Sequence, residues 1–374
     1  MAELPRLVVA TPGEPRDPAT WSGTSASLVR ALERAGALAG AVDASSHAVD
    51  RLEQLASFSP SRARWRQRYH SRSSFASDAA RSLRSAVARR RLDGEPEAVL
   101  HVGAWTLLPG RVRASYHDGN LAVSLARDEP LLDRRSGSVR RALEADRRFY
   151  DRMDVLLPMS DWLRRSFVED FGQDPAKVVT VGAGANLREL PEVPQRTFEQ
   201  PRFLFVGRQW ERKGGPQLLE AFALVHAEQP DAELWVVGPE QPVSGAGVRF
   251  FGRVSRASAD GERRLGELYA NATAFAMPSV YEPFGIAFLE AMAYGLPCVA
   301  SDRCAMPEIV EDGVSGFTVG AHDVEALAAR LLELADPARA RAFGEAGRRR
   351  LAERFTWDAV AARIVEAIAT RTAP

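Results

Sequence analysis

Glu282 and Glu290 stand eight positions apart, at the two ends of Glu282-Pro283-Phe284-Gly285-Ile286-Ala287-Phe288-Leu289-Glu290. Glu290 is the only polar side chain between Ile286 and Ala293. A helix that is apolar all round is a buried one. A carboxylate buried with it needs a partner, because an unpaired one is very unfavourable in an apolar setting. Glu290 therefore meets either a protein donor or a ligand. The loop before it has the make-up of an anion site. A helix start presents unpaired N–H groups and partial positive charge, and Gly285 lets a ligand approach the backbone closely. A second corner of this kind follows the apolar run Phe203 to Val206: Gly207 and Arg208, then Lys213-Gly214-Gly215, with Pro216 opening a helix. Proline suits a first helical position, whereas cations there oppose the helix dipole unless an anion joins them. An Arg able to make bidentate phosphate contacts beside a Lys acting as a point charge is a diphosphate-like pairing. The plainer reading is a solvated loop, since Lys and Arg are common on surfaces.

These corners need a scaffold, and the chain is long enough for about two domains at 374 residues. Its composition is globular, 45% hydrophobic and 26% charged. Basic and acidic residues balance at 49 each, so global charge gives no argument for nucleic acid. Two cysteines, Cys298 and Cys304, are too few for a disulfide framework or a four-cysteine zinc site, and a reducing cytoplasm fits. There is no metal-ligand cluster, and no apolar run reaches membrane-spanning length. The N-terminus lacks a basic region followed by a long apolar core, so it reads as a first strand and not a signal peptide.

Short apolar runs alternating with helical segments predict an α/β protein. In the first half, strands are expected at 6–10, 98–102, 112–116, 155–159 and 177–181. Helices are expected at 25–35, with Ser22 or Thr24 as N-cap, and at 161–170. Gly23 lies in the loop between the first strand and helix. It either faces a ligand, as loops at a sheet's carboxyl edge do, or simply makes a turn. His117 and Asp118, at the end of the 112–116 strand, form a second loop with site character. His101 lies within an apolar run and reads as structural. Residues 62–91 are basic, with ten arginines, Trp65, Tyr69 and Phe75, and Asp78 as the only acidic residue. Such a stretch can lie on an anionic membrane or hold an anionic acceptor; equally, it is a helix face whose arginines are solvated or paired with acids elsewhere. A proline-containing, aperiodic segment at 187–201 looks like a linker. The domains expected are 1–190 and 198–356, with a last helix at about 357–370 that can pack back on the first domain.

Together, VGRQWERKGGPQLLEAF (206–222) and PSVYEPFGIAFLEAMAYGLPCVASDRCAMPEIVEDGVSGF (278–317) resemble the C-terminal half of the glycogen-synthase-like, retaining glycosyltransferases. The resemblance is strong over about 155–335 and continues less closely through WSG (21–23), YHDGN (116–120) and SDWLRRSFVEDFG (160–172). It implies the GT-B fold: two facing Rossmann-like domains with an interdomain cleft. By position, Gly207, Arg208 and Lys213 would bind the donor diphosphate, and the backbone of Phe284, Gly285 and Ile286 would receive phosphate or sugar. Glu282 would hold the transferred sugar, Glu290 the ribose diol, and His117 would face the donor sugar. Gly23 and Asp118 would belong to the acceptor side or the cleft. Two departures are a single glycine in the first loop and GAGAN (182–186) where many members have Pro-Asn-Gly-Val-Asp. The implied activity is transfer from a nucleotide-diphospho-sugar to a glycan, lipid-linked or small-molecule acceptor, without metal or other cofactor. The setting would be cytoplasmic, with peripheral contact at the inner face of the membrane if 62–91 binds lipid. A sugar-nucleotide epimerase of the same fold and a non-catalytic sugar-nucleotide-binding protein are the alternatives. A nicotinamide enzyme is disfavoured, because no G-x-G-x-x-G follows the first strand.

Overall fold

The structure, a computed structural model, describes residues 5–61, 65, 78–126, 137–193, 196, 200–255 and 258–372. The chain divides into two compact units, Met1–Gly182 with Trp357–Pro374, and Ala183–Thr356. The break thus falls at Gly182, ahead of the 190–198 region read as the boundary.

The first unit is built on five parallel strands: β1 (Leu7–Thr11), β2 (Leu38–Asp43), β3 (Ala98–Val102), β4 (Val112–His117) and β5 (Val155–Pro158), in the order β2-β1-β3-β4-β5. Helices α1 (Thr24–Arg34), α2 (His47–Ser57), α3 (Asp78–Arg89), α4 (Leu121–Leu125), α5 (Gly137–Asp151) and α6 (Asp161–Glu169) belong to the same unit. Because crossover helices cover both faces of a parallel sheet, its inner strands are apolar runs and not alternating ones. β1, LVVAT, and β3, AVLHV, are buried along their whole length. Side chains start two of the helices: Asn120 accepts from Val123 N–H and Ser160 from Leu163 N–H.

Three expectations change here. Neither Ser22 nor Thr24 caps α1, which starts on Gly23 without a side-chain cap. Residues 177–181 are not a strand: only Val178 bridges, to Leu156, and a turn of 3₁₀ helix occupies Pro175–Lys177. The basic stretch is divided, with 62–64 and 66–77 outside the described residues. Within α3, Arg81 and Arg84 are buried and not solvated or lipid-facing, and they pair with acids elsewhere as one reading of the stretch expects. Arg81 pairs with Asp146 at 2.9 Å and Asp78 at 3.2 Å, and Arg84 pairs with Asp50 at 3.0 Å.

The second unit carries six parallel strands: β6 (Arg202–Val206), β7 (Glu233–Val237), β8 (Val248–Gly252), β9 (Ala274–Met277), β10 (Cys298–Ser301) and β11 (Gly316–Val319), in the order β11-β10-β9-β6-β7-β8. Its helices are α7 (Gly215–Glu228), α8 (Ala259–Asn271), α9 (Ile286–Ala293), α10 (Met306–Ile309), α11 (Val324–Leu334) and α12 (Pro337–Arg354). Strand order reverses between β6 and β9, which is where a doubly wound sheet opens a crevice at its carboxyl edge. The loops leaving these two strands are 207–214 and 278–285. The last helix, α13 (Trp357–Thr372), is part of the first unit, where Arg363 Nε donates to Val181 O at 2.8 Å and Arg34 pairs with Asp358 at 2.6 Å.

Candidate donor site at the β6–β9 switch point

The two helices that leave the switch point begin alike. α7 starts on Gly214 (φ 72°) and α9 on Gly285 (φ 69°), both left-handed and neither capped by a side chain. At α7 the Gly215 N–H goes to Trp210 O at 2.9 Å and Pro216 has none, so it is at α9 that the first N–H groups are left to other acceptors. At Gly285 the left-handed turn leaves no room for a side chain, since a Cβ would lie 2.8 Å from the Phe288 ring. α9 is anchored by burial from Phe288 to Ala293, while Ile286 and Ala287 at its start stay partly exposed. Phe284 is buried against Phe355, ring centroids 6.4 Å apart, which fixes the loop ahead of the helix.

The cations come from 207–214. Lys213 passes directly over Gly207, where any Cβ would lie 2.3 Å from Lys213 Cδ. Its Nζ reaches Glu282 Oε2 at 2.7 Å. Arg212 Nη1 lies 3.4 Å from the same oxygen and also donates to Tyr281 O. Burial alone would raise the Glu282 carboxyl; Lys213, and then Arg212, outweigh it and hold the group below the usual carboxylate range. Arg208 is exposed at the mouth of the loop. Glu290 is buried, and Tyr269 Oη donates to its Oε2 at 3.2 Å. The structure thus brings Gly207, Lys213 and Glu282 into one corner beside the start of α9. It also shows a protein donor at Glu290, one of the two partners the sequence left open.

Arg212 was missed by sequence reasoning. The available signal was three cations in Arg208-Gln209-Trp210-Glu211-Arg212-Lys213, but nothing local says which of them turns toward residue 282.

In the first unit, Gly23 ends a run of three left-handed residues, Trp21 (φ 47°), Ser22 (φ 56°) and Gly23 (φ 88°). Positive φ at two non-glycine residues is costly and persists only where packing over-determines it. Here Trp21 packs edge-on against Tyr116, whose Oη donates to Gly182 O at 2.8 Å. Asp118 is partly exposed in the loop after β4.

His117 does not occupy the substrate-facing position expected of it. It is only 3% exposed, set edge-on to Tyr150 and Phe167, with Nε2 3.0 Å from Ser115 Oγ. Burial, with a smaller contribution from His101, lowers its pKa to about 3, so the ring is neutral at working pH. His101 is a core residue, as its apolar run suggests. Leu108 N–H donates to its Nε2, which leaves the proton on Nδ1 to bond Ala114 O at 3.0 Å. Cys298 is likewise buried in β10.

Two parallel doubly wound units with these strand orders define a two-domain GT-B protein. Residues 200–336 match the family Glycosyl transferases group 1. It is 37% identical over 187 residues to alpha-maltose-1-phosphate synthase of Mycolicibacterium smegmatis, covering 45% of this chain and 48% of that protein. It is 33% identical over 260 residues to MMP alpha-(1->4)-mannosyltransferase of Mycolicibacterium hassiacum, covering 66% of this chain and 61% of that protein. The chain therefore spans about half to three fifths of these curated relatives. Among solved structures, sucrose-phosphate synthase from Thermosynechococcus elongatus superposes with a TM-score of 0.66 at 19% identity, covering 97% of this chain and 98% of that one.

Proposed function

We infer that the protein is a retaining glycosyltransferase that takes its sugar from a nucleotide-diphospho-sugar. The observation that carries this reading is the charge of the β6–β9 corner. Arg208, Arg212 and Lys213 against Glu211 and Glu282 leave an excess of one positive charge beside the start of α9, which no side chain caps. A departing nucleoside diphosphate builds negative charge on its oxygens as the C1–O bond breaks. Fixed cations and N–H groups aimed at that position stabilise the transition state. The acceptor oxygen forms the new bond to C1 from the same face, and its proton passes to the leaving diphosphate. Glu282 holds hydroxyls of the transferred sugar and is not a nucleophile. The two-carboxylate logic of glycosidases is therefore not used. Glu290, steadied by Tyr269, takes the ribose diol, since two carboxylate oxygens suit two neighbouring O–H donors. Gly23 and Asp118 are assigned to the acceptor, a glycan, a lipid-linked sugar or a small molecule. With the diphosphate met by side-chain cations, no metal is assigned a step.

A donor panel tests this. One of UDP, GDP and ADP should raise Tm, by RT ln(1 + [L]/Kd) in free energy. The corresponding nucleotide sugars should then be turned over in the presence of a chelator, with retained anomeric configuration in the product. Release of an epimerised sugar nucleotide without acceptor would favour the epimerase reading. Binding without turnover of any donor would favour a non-catalytic protein.

A second contact is supported by α2. Leu52, Leu55 and Phe58 recur every third residue, and Leu55 and Phe58 are 72% and 62% exposed. Trp65 stacks edge-on against Phe58. From 54 to 77 the sequence has five arginines and no acidic residue. An exposed apolar face adjoining net positive sequence suits the surface of an anionic bilayer. Among the described residues no helix is long and apolar enough to cross a membrane. Sedimentation with phosphatidylglycerol-containing vesicles should fall as salt rises, and Leu55→Ser with Phe58→Ser should weaken it. No sedimentation at low salt would end this reading.

A further inference from the structure

Arg212 is tied to the second loop along its whole length. Its carbonyl accepts from Val280 N at 3.0 Å and Tyr281 N at 3.4 Å. Its guanidinium donates to Tyr281 O, and its Nε donates to Gln209 Oε1 in its own loop. Its Nη1 shares Glu282 Oε2 with Lys213. The two cations differ in what they can do there. Lys213 is a point charge on a flexible stem, 2.7 Å from the carboxylate. The Arg212 fork is planar, held by two other acceptors and unable to lose its proton.

An entering diphosphate competes with Glu282 for the Lys213 ammonium. If Lys213 were the only partner, each donor bound would strip a buried carboxylate of its counter-charge, and the group would take up a proton and lose its aim. Arg212 on the same oxygen removes that conflict.

We propose that Arg212 is a positioning residue that keeps Glu282 ionised and aimed while Lys213 gives its charge to the donor diphosphate. The role rests on the transferase reading above. It adds a division of labour: Lys213 and Arg208 act on the leaving group, and Arg212 acts only through Glu282. Lys213 can then leave Glu282 on every turnover without the loop rearranging.

The test uses the full chain with Arg212→Met, which keeps length and removes charge, and Arg212→Lys, which restores charge. Arg212→Met should lower kcat/KM for the nucleotide sugar about tenfold or more. It should also move the acid limb of the kcat profile, which reports groups in the donor-bound complex, up by about one pH unit, since a carboxylate loses a neighbouring guanidinium. Arg212→Lys should recover most of both. Affinity for the free nucleoside diphosphate, UDP, GDP or ADP, should change less than about threefold. The idea is overturned if Arg212→Met weakens free diphosphate as much as Lys213→Ala does, which would make Arg212 a phosphate ligand. An unmoved acid limb would also overturn it, since Arg212 would then only tie two loops.

A stability cycle reads the same pairing without turnover. Tm is followed from about pH 6 to about pH 3.5 for Lys213→Ala, Arg212→Met and the double variant. In Lys213→Ala, Arg212 should limit the rise of the Glu282 transition, although Lys213 is the stronger of the two charges acting on it. In the double variant, the transition should move up by more than the two single shifts added together. Additive shifts would refute the proposal even if no nucleotide sugar were turned over, whereas coupled shifts without turnover would sink the transferase reading alone.

Discussion

Lys213→Ala is expected to lower the rate of sugar transfer at least about a hundredfold while leaving the second unit folded. The size comes from the chemistry at the leaving group. Removing one preorganised group that meets developing negative charge typically costs about 10²–10³ in kcat, or about 2.7–4 kcal/mol. The folding effect should be smaller. Breaking a buried pair by removing one partner costs about 3–5 kcal/mol, because a charge is left alone. Glu282 is not left alone here, as Arg212 stays 3.4 Å from the same oxygen. A loss of about 1–2 kcal/mol is expected, or about 2–4 °C of Tm per kcal/mol for a unit of this size.

Glu282→Gln should show the complementary pattern. The amide keeps the shape but releases both cations, so free nucleoside diphosphate should bind at least as well as to the parent. Transfer should still fall, because the sugar hydroxyls lose a charged acceptor. Steady-state kinetics with the donor found by thermal shift would check both variants. Full activity in Lys213→Ala and Glu282→Gln alike would remove the site assignment.

The second large effect is on stability, and it lies in the first unit. Stability there should fall by about 2–3 kcal/mol between about pH 7 and about pH 5. His117 and His101 are buried, and burial depresses their pKa values to about 3 and about 4. Below about pH 6.5 the unfolded chain binds protons that these folded rings refuse. Protonation therefore draws the equilibrium toward the unfolded state, at about 1.36 kcal/mol per pH unit for each ring. By about pH 5 the pair amounts to about 4 kcal/mol. Asp146 acts in the opposite sense. Burial pushes its carboxyl up to about 6 against the pull of Arg81, so the folded state takes up a proton first as pH falls. That returns about 1–2 kcal/mol over the same interval.

Glu282 does not contribute in this window. Its folded pKa is depressed, so its stabilisation is present above the unfolded value and is lost only as pH falls through the folded one. Calorimetry from about pH 7.5 to about pH 5 should therefore show the first unit's transition falling by about 5–10 °C. His117→Phe, a ring among rings, should reduce the slope whatever it does to absolute stability. A pH-independent transition would mean that His117 and His101 are not buried neutral in solution.

The sequence alone determined the α/β class, through apolar runs alternating with helical segments. It also located the two loops that carry the candidate chemistry. A lone glutamate inside an apolar helix needs a partner, and cations before a Pro-started helix oppose its dipole unless an anion is present. Such conflicts are visible without coordinates because they arise between residues less than one element apart.

Tertiary structure decided three other matters. β6 and β9 are neighbours although about seventy residues separate them, and that adjacency sets Lys213 and Arg212 on a Glu282 oxygen. His117 was misplaced because both faces of a parallel sheet are covered. Alternation along β4 puts Ser115 and His117 on one face and Ala114 and Tyr116 on the other, yet all four are buried. Arg81 and Arg84 read as one charged face with their neighbours until Asp146, Asp78 and Asp50 met them from other helices or from the helix start. In each case the deciding quantity was burial, which depends on contacts between elements distant in sequence. Residue type gives the cost of burying a group; only the fold says which groups are buried and what meets them there.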